Sequence, residues 1–509
     1  MKRIIAILLC AVLLAGCQTD KPPYIPTGDG LYDDSATTAP IQIQPEKEQI
    51  LRLAWDPAQS LNPYQTGSTT QKLLFDLLYQ GLFAVDAKYQ AHPMLCKHYR
   101  VSRDMTQYTF YLENATFSDG SSVTAQDVAA SLLAAKESPV YSGRLGQMTD
   151  VQVAEDGGVV VTMAIPYENL PILLDIPIVK AAEVSLESPL GTGPYVMRVG
   201  EQSRLLMRRE NWWCRAAMPV TAEYITLVPA STPTALRDAF EFGQIDLVCT
   251  DPGSEGFVDF RCDYELWDCE SGYFLYLACR AGSAVFSNRE VRQALTCAID
   301  REALVQEYFK GFAAAATLPA SPESPWYDQT QAASYGYDPE KFTLAVQEAG
   351  LAESSITLLV NQADGRRIRV AKAIAGMLKQ SGLKVTVSAL SGEKYTKALS
   401  DGKYDLHLGQ TKLSANMDLT AFFHKEGALN FGSLTDPVCD SLCQEAMANA
   451  GNYYTLHKAV MTDGMLCPVL FKGYAIYASR GTFDTLEPSR DSLLFYTLGK
   501  SMDDCKLDD

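Results

Sequence analysis

The sequence predicts an α/β protein with several sheets, and three observations carry that expectation. Strand-like and helix-like stretches alternate along the chain, and the helices are punctuated by caps at their starts and glycines at their ends. Past the first twenty residues, no internal repeat and no membrane-length apolar run interrupts the alternation. A chain of 509 residues has room for roughly two to four domains with well-buried cores.

Residues 50–55 read as the first strand, stopped by Asp56-Pro57. Residues 71–80 read as a helix, with Leu73, Leu74, Leu77 and Leu78 on one stripe. Residues 108–112 are strand-like and 117–120 form a turn. A helix over 124–137 follows, with Thr124 as cap and Asp127 completing a capping box. Asp338-Pro339 opens another helix that Gly350 ends. Residues 367–380, Gly382 and residues 384–387 give helix, stop and strand.

The N-terminus is a secretory signal. Lys2 and Arg3 precede an apolar run over residues 4–15, and Leu14-Ala15-Gly16-Cys17 closes it with small residues. The closing tetrapeptide resembles the bacterial lipobox. That resemblance implies cleavage before Cys17 and acylation of its thiol and amino group, and two or more chains hold stably to a membrane. Residues 1–16 are therefore expected to be removed. Residues 17–47, rich in Pro, Thr, Asp, Gly and Ser, offer too little apolar surface to fold and read as a tether. As a coil the tether reaches on the order of 30 Å.

The net charge of −18 sets the chain against nucleic acid and anionic headgroups. Thirteen cysteines are present. With Cys10 lost and Cys17 acylated, an odd number remains, so at least one stays unpaired. Cys262 with Cys269 is a possible local bridge. Cys439 and Cys443 share a helix face but have no histidine beside them, as a zinc site requires. Most thiols read as small buried hydrophobes.

Motifs for catalysis are missing. The five histidines, His92, His98, His407, His424 and His457, form no metal spacing. No Gly-x-Ser-x-Gly elbow occurs. Gly191-Thr192-Gly193 leads into Pro194-Tyr195 and not into a phosphate-binding Gly-Lys-Ser/Thr. The chain is expected to be no enzyme and to need no cofactor or metal.

Six blocks in order resemble the family 5 extracellular solute-binding proteins, the oligopeptide-, dipeptide- and nickel-binding lipoproteins of ABC importers. They are Ser60-Leu61-Asn62-Pro63; Phe117-Ser118-Asp119-Gly120 with Val123 to Val128, where Ser122 replaces a proline; Gly191-Thr192-Gly193-Pro194-Tyr195; Asn211-Trp212-Trp213; Gly243-Gln244-Ile245-Asp246; and residues 288–301. Their own residues read mostly as scaffold. Gly191 and Gly193 are expected to free a sharply turning backbone. Val291, Ala294, Leu295 and Ala298 are expected in a core, and Asp300 as a helix cap.

The resemblance implies a two-lobed periplasmic-binding-protein-like fold with an extra α+β domain on the N-terminal lobe. Lobe I would take 48–80, 190–268 and 480–509, the extra domain 81–189, and lobe II 269–479. The chain would cross between lobes near Glu270 and Arg480, and the lobes would close about a hinge. It further implies a monomeric, lipid-anchored receptor outside the cell membrane, delivering a small molecule, most often a peptide, to ABC permease subunits. Alternatives are a nickel-chelate, sugar or anion receptor, a ligand sensor, and, more remotely, a lipid-anchored hydrolase.

For a peptide, residues 56–60, with Ala58 and Gln59, would form a strand edge opposite Tyr273, Phe274 and Tyr276. The amine-holding loop of lobe II resembles residues 409–418, but the acidic position falls on Ser414 or Ala415. Serine cannot supply the charge that pairs with an ammonium. Two readings stay open: Asp418 substitutes, or the ligand lacks a free amine. Lys412 in the same loop favours an anionic group.

Overall fold

The computed structural model describes residues 51–493 apart from 201–203, 219, 432–433 and 484. The signal, Cys17 and the tether lie outside the described residues, and so do residues 494–509.

Most sequence-expected elements form close to where their patterning puts them. The first helix, Thr69–Leu78, buries Leu73, Leu74, Leu77 and Leu78. In the helix Ala125–Lys136, Thr124 and Asp127 exchange side-chain and backbone hydrogen bonds, so the capping box is present. Asp338 caps Pro339–Glu348. Asp300 caps Arg301–Phe309 by accepting from the Ala303 N–H at 3.0 Å. Val291, Ala294, Leu295 and Ala298 are buried.

An eleven-stranded sheet organises the described chain. One side comprises Leu247–Thr250, Leu51–Trp55, Tyr224–Pro229, Arg204–Arg208 and Tyr195–Val199. The other comprises Leu406–Lys412, Ser355–Asn361 and Lys384–Leu390, and the short strand Ala313–Ala315 pairs off this path with Leu466–Ala478. Two long antiparallel strands, Glu265–Cys279 and Leu466–Ala478, are common to both sides.

The change of neighbours along those two strands is abrupt. Residues 265–270 pair with 473–478, the ladder slips between Glu270 and Phe274, and pairing resumes from Phe274 with Phe471. Beyond the slip, residues 273–279 have the strand Leu406–Lys412 on their other side, while ahead of it residues 475–478 have Leu247–Thr250 on theirs. Along the last strand the handover thus falls near Phe471 to Ala475, ahead of Arg480. Gly272 sits in the slip at φ +76°, a backbone conformation that suits glycine.

Residues 96–163 build a separate four-stranded antiparallel sheet, with Cys96–Val101, Gln107–Leu112, Val159–Met163 and Met148–Val153 in that order. The helix Ala125–Lys136 packs on it through the buried Val128, Ala129 and Leu132. Val128 and Leu132, both fully buried, contribute about 1.5–3 kcal/mol each.

Three expectations change. Gly191 and Gly193 do not take positive φ. A Cβ on Gly193 would lie 2.4 Å from the Leu77 carbonyl oxygen, and one on Gly191 2.1 Å from that of Leu78. They are glycines because the end of the first helix presses against them. Cys262 and Cys269 form no disulfide. The third change concerns Arg301, which the block reading left without a role. It is buried and donates to the carbonyls of Thr296, Ala316 and Pro468 at 2.8–2.9 Å, tying its helix start to the last strand.

Candidate functional site

The first helix, the segment after the helix Ala125–Lys136, the strand Glu265–Cys279 and the strand Leu406–Lys412 converge on a cavity of about 330 Å³. Lys72, Phe75, Asp76 and Tyr79 reach it from the first helix, at spacings that put them on one face. Tyr141, Arg144 and Asp175 line it from the chain between the helix Ala125–Lys136 and Gly191. Tyr273 and Lys412 line it from neighbouring strands, where they are register partners and so share a face.

Asp491 is the centre of its electrostatics. Arg144 Nη2 donates to the Asp491 carboxylate at 3.0 Å and Arg490 Nε at 3.0 Å; Lys412 Nζ pairs with it closely, and Lys72 Nζ stands 3.8 Å away. Burial pushes the Asp491 pKa up, but Lys412, Arg144, Arg490 and Lys72 outweigh it and hold this carboxyl well below its ordinary range. Arg144 also grips Asp175. Burial holds the Asp175 pKa above its ordinary value although Arg144 pulls it down.

Asp491 belongs to a segment without helix or strand, residues 485–493, anchored at its ends by the buried Leu486 and Leu493. The Ser489 N–H donates to the Ser492 carbonyl at 2.6 Å, closing a turn, and the Leu493 N–H donates to Asp76 Oδ2 at 2.5 Å. Arg490 Nη2 donates to the Leu413 carbonyl, and its guanidinium lies 5.9 Å from the centre of the Tyr89 ring. A Cβ at residue 272 would come within 2.5 Å of this guanidinium, so Gly272 also makes room for it.

While residues 491–492 line the first cavity, residues 488–490 line a second of about 290 Å³. Its other walls carry the carboxylates of Asp86, Asp268, Glu270 and Glu323 and one cation, Lys472, which pairs with Asp251. Tyr89 and Ser321 donate to Glu270 Oε2, whereas the buried Glu270 Oε1 and Arg490 Nη1 have no hydrogen-bond partner. Burial raises the Glu270 pKa, opposed by Arg490.

The sequence-selected residues do not all meet here. Tyr273 and Lys412 face the first cavity. Phe274 and Tyr276 point the other way, as alternation along a strand requires, and pack into the core with Phe422 and Phe471. Ala58 and Gln59 are exposed in a turn organised by Asp56, so residues 56–60 are not a strand, and neither residue lines either cavity. The Ser414 hydroxyl donates to Asn416 Oδ1 at 2.7 Å. Asp418 accepts from the Thr420 N–H at 2.8 Å and from its hydroxyl at 2.5 Å, within its own loop and outside both cavity walls. Arg144, Asp175, Glu270, Arg490 and Asp491 carry no sequence signal, because their partners are far away along the chain.

A profile described as bacterial extracellular solute-binding proteins, family 5, middle region, matches residues 90–427. The glutathione-binding protein GsiB of Salmonella typhi is 25% identical over 364 residues, covering 68% of this chain and 70% of that protein. Among solved structures, the oligopeptide-binding protein AppA of Bacillus subtilis in complex with a nonapeptide aligns with a TM-score of 0.61 at 18% identity, over 89% of this chain and 99% of that one. NikA of Brucella suis in complex with Fe(III)-EDTA aligns with a TM-score of 0.68 at 18% identity, over 88% of this chain and 99% of that one. These two likenesses establish the shared two-lobed α/β fold.

Proposed function

Since the chain belongs to the bacterial extracellular solute-binding proteins of family 5, the solute-capturing proteins of ABC importers, we propose that its cargo is a small peptide or peptide-like solute taken between the lobes and passed to the permease. The observation that carries this reading is the 330 Å³ cavity, where Lys72, Arg144 and Lys412 converge from distant parts of the chain. These three cations, which meet Asp491 and, at Arg144, Asp175, suit a carboxylate that takes the place of Asp491, and Glu270 with Asp86, Asp268 and Glu323 in the neighbouring cavity suits an ammonium. Of the residues selected from sequence, Tyr273 and Lys412 are placed to touch the solute.

The hinge in this reading is the ladder slip at residues 270–274 opposite Phe471 to Gly473. A solute that bridges the walls has affinity only for the closed form and so shifts the lobes toward closure. Cys17, through its acyl chains, moors a monomer outside the membrane, and residues 17–47 give it reach. The lobes comprise 48–80, 190–268 and 480–509 on one side and 269–479 on the other, with 81–189 as the extra domain. Nothing in this reading calls for catalysis.

A metal-chelate cargo is less favoured, because His407 and His424, the two histidines near the lobe II loop, do not line the cavity. His407 is buried against Tyr395 and His424 pairs with Asp440. Native mass spectrometry of the purified protein, followed by thermal-shift screening of di- and tripeptides, glutathione and nickel-histidine, tests the reading. Retention or stabilisation by peptides supports it; response to nickel-histidine alone overturns it.

A further inference from the structure

Resting on that receptor reading, we propose that residues 485–493 are a built-in ligand. The Arg490 guanidinium and the Asp491 carboxylate hold the places of a cargo's cation and carboxylate, and the cargo is a zwitterionic peptide that displaces them. The segment enters both cavities at once, with Asp491 at the cationic wall and Arg490 at the acidic one.

Its bonding is that of a bound peptide. Main-chain and side-chain polar groups face fixed partners drawn from distant parts of the chain: Asp76, Arg144, Lys412 and the Leu413 carbonyl. No helix or strand of its own holds it, and its apolar anchors are the buried Leu486, Pro488 and Leu493.

The exchange is chemically matched. Withdrawing Asp491 alone would take from Lys412, Lys72 and Arg490 the carboxylate they share and leave Arg144 with Asp175 as its remaining partner, which is strongly unfavourable. A carboxylate entering as Asp491 leaves keeps those cations paired throughout. On the other wall Arg490 fits less well, since its Nη1 and the Glu270 Oε1 are both buried without partners. A compact ammonium reaching Glu270 would pair that oxygen, so a cargo carrying both charges outcompetes the segment where a simple anion does not. Gly272, at the ladder slip, is the point where the guanidinium rests on the hinge, so departure of the segment and lobe movement are coupled.

The probe is a fluorescein-labelled synthetic peptide of residues 485–493, tested by anisotropy on the full chain and on the full-chain double variant Arg490→Gln, Asp491→Asn. The expected result is at least tenfold tighter binding to the double variant, lost when the peptide carries the same two replacements. Equal affinity for the two proteins, or no binding to either, overturns the proposal.

Hydrogen exchange on the unmodified chain provides a test independent of how the variant folds. Saturating tripeptides should speed exchange of the amides in residues 485–493, and unchanged exchange in the peptide-bound protein overturns the internal ligand while leaving the receptor reading intact. If the chain binds no peptide of the pool at all, the receptor reading falls and this inference with it.

Discussion

Arg144 Nη2 donates to the Asp491 carboxylate at 3.0 Å although 347 residues of chain separate them. The same guanidinium grips Asp175, so one cation holds apart two buried carboxylates that lie far apart along the chain. Burial lowers the arginine pKa, but the two aspartates raise it above its ordinary value, so it stays charged.

Replacing this guanidinium exposes the two carboxylates to each other. Arg144→Met is expected to lose about 3–5 kcal/mol of stability at pH 7, the usual consequence of removing one partner from a buried pair. The loss should shrink toward pH 4.5. Asp175 already has a raised pKa, so the folded variant takes up a proton more readily than the unfolded chain and gains stability as pH falls through that raised value. Urea unfolding at both pH values measures this, and a deficit that does not change with pH counts against it.

Gly193→Ala tests the close approach of this residue to the end of the first helix. The added methyl meets backbone at 2.4 Å, where no side chain can swing aside. The expected loss is roughly 1–3 kcal/mol, read as a lower urea midpoint. Gly243→Ala is a useful contrast, because that site has open space but φ +62°. Its loss comes from backbone strain alone and should be smaller, about 1 kcal/mol.

What could be read from the sequence divides by range. The helix at Thr124 was legible because cap, box and apolar stripe all lie within one turn or one face. The Arg301 block and the glycines of residues 191–193 were legible as scaffold, but not their reasons, which involve Pro468 and Leu77 far away in the chain. Tyr273 was separated from Phe274 and Tyr276 only when the strand direction was known, since period-two alternation sends neighbours to opposite faces. Residues 485–493 were the least legible. A turn rich in polar residues looks like any exposed tail until Arg144 and Lys412 are seen to surround it.

Two buried histidines give the protein an acid-sensitive core. Burial pushes both His407 and His457 down to about 3, and neither His457 ring nitrogen has a hydrogen-bond partner. The unfolded chain protonates each near pH 6.5, while the folded chain does not. Their stabilising contribution is therefore complete above that pH and falls as pH drops toward 3. Between pH 6.5 and 5 each is expected to lose about 2 kcal/mol. His457→Leu should remove close to half of this slope in urea unfolding at pH 7.5, 6 and 5; an unaltered slope would show that the group titrates normally.

Lys412 offers the sharpest test of what the cationic wall is for. Its ammonium lines the cavity beside Tyr273 and pairs with Asp491. If the wall receives a ligand carboxylate, Lys412→Gln removes a charge-assisted bond that only the free-acid form of a peptide can make. Affinity for a tripeptide with a free C-terminus should fall at least tenfold, about 1.4 kcal/mol. The same tripeptide amidated at its C-terminus should change less than about twofold, because it brings no charge for the lysine to meet. Isothermal titration of both peptides against both proteins gives the comparison as a cycle, which cancels any general weakening of the fold. Equal losses for acid and amide would assign Lys412 to holding the C-terminal segment alone, and the carboxylate would then have to be met by Arg144 or Lys72.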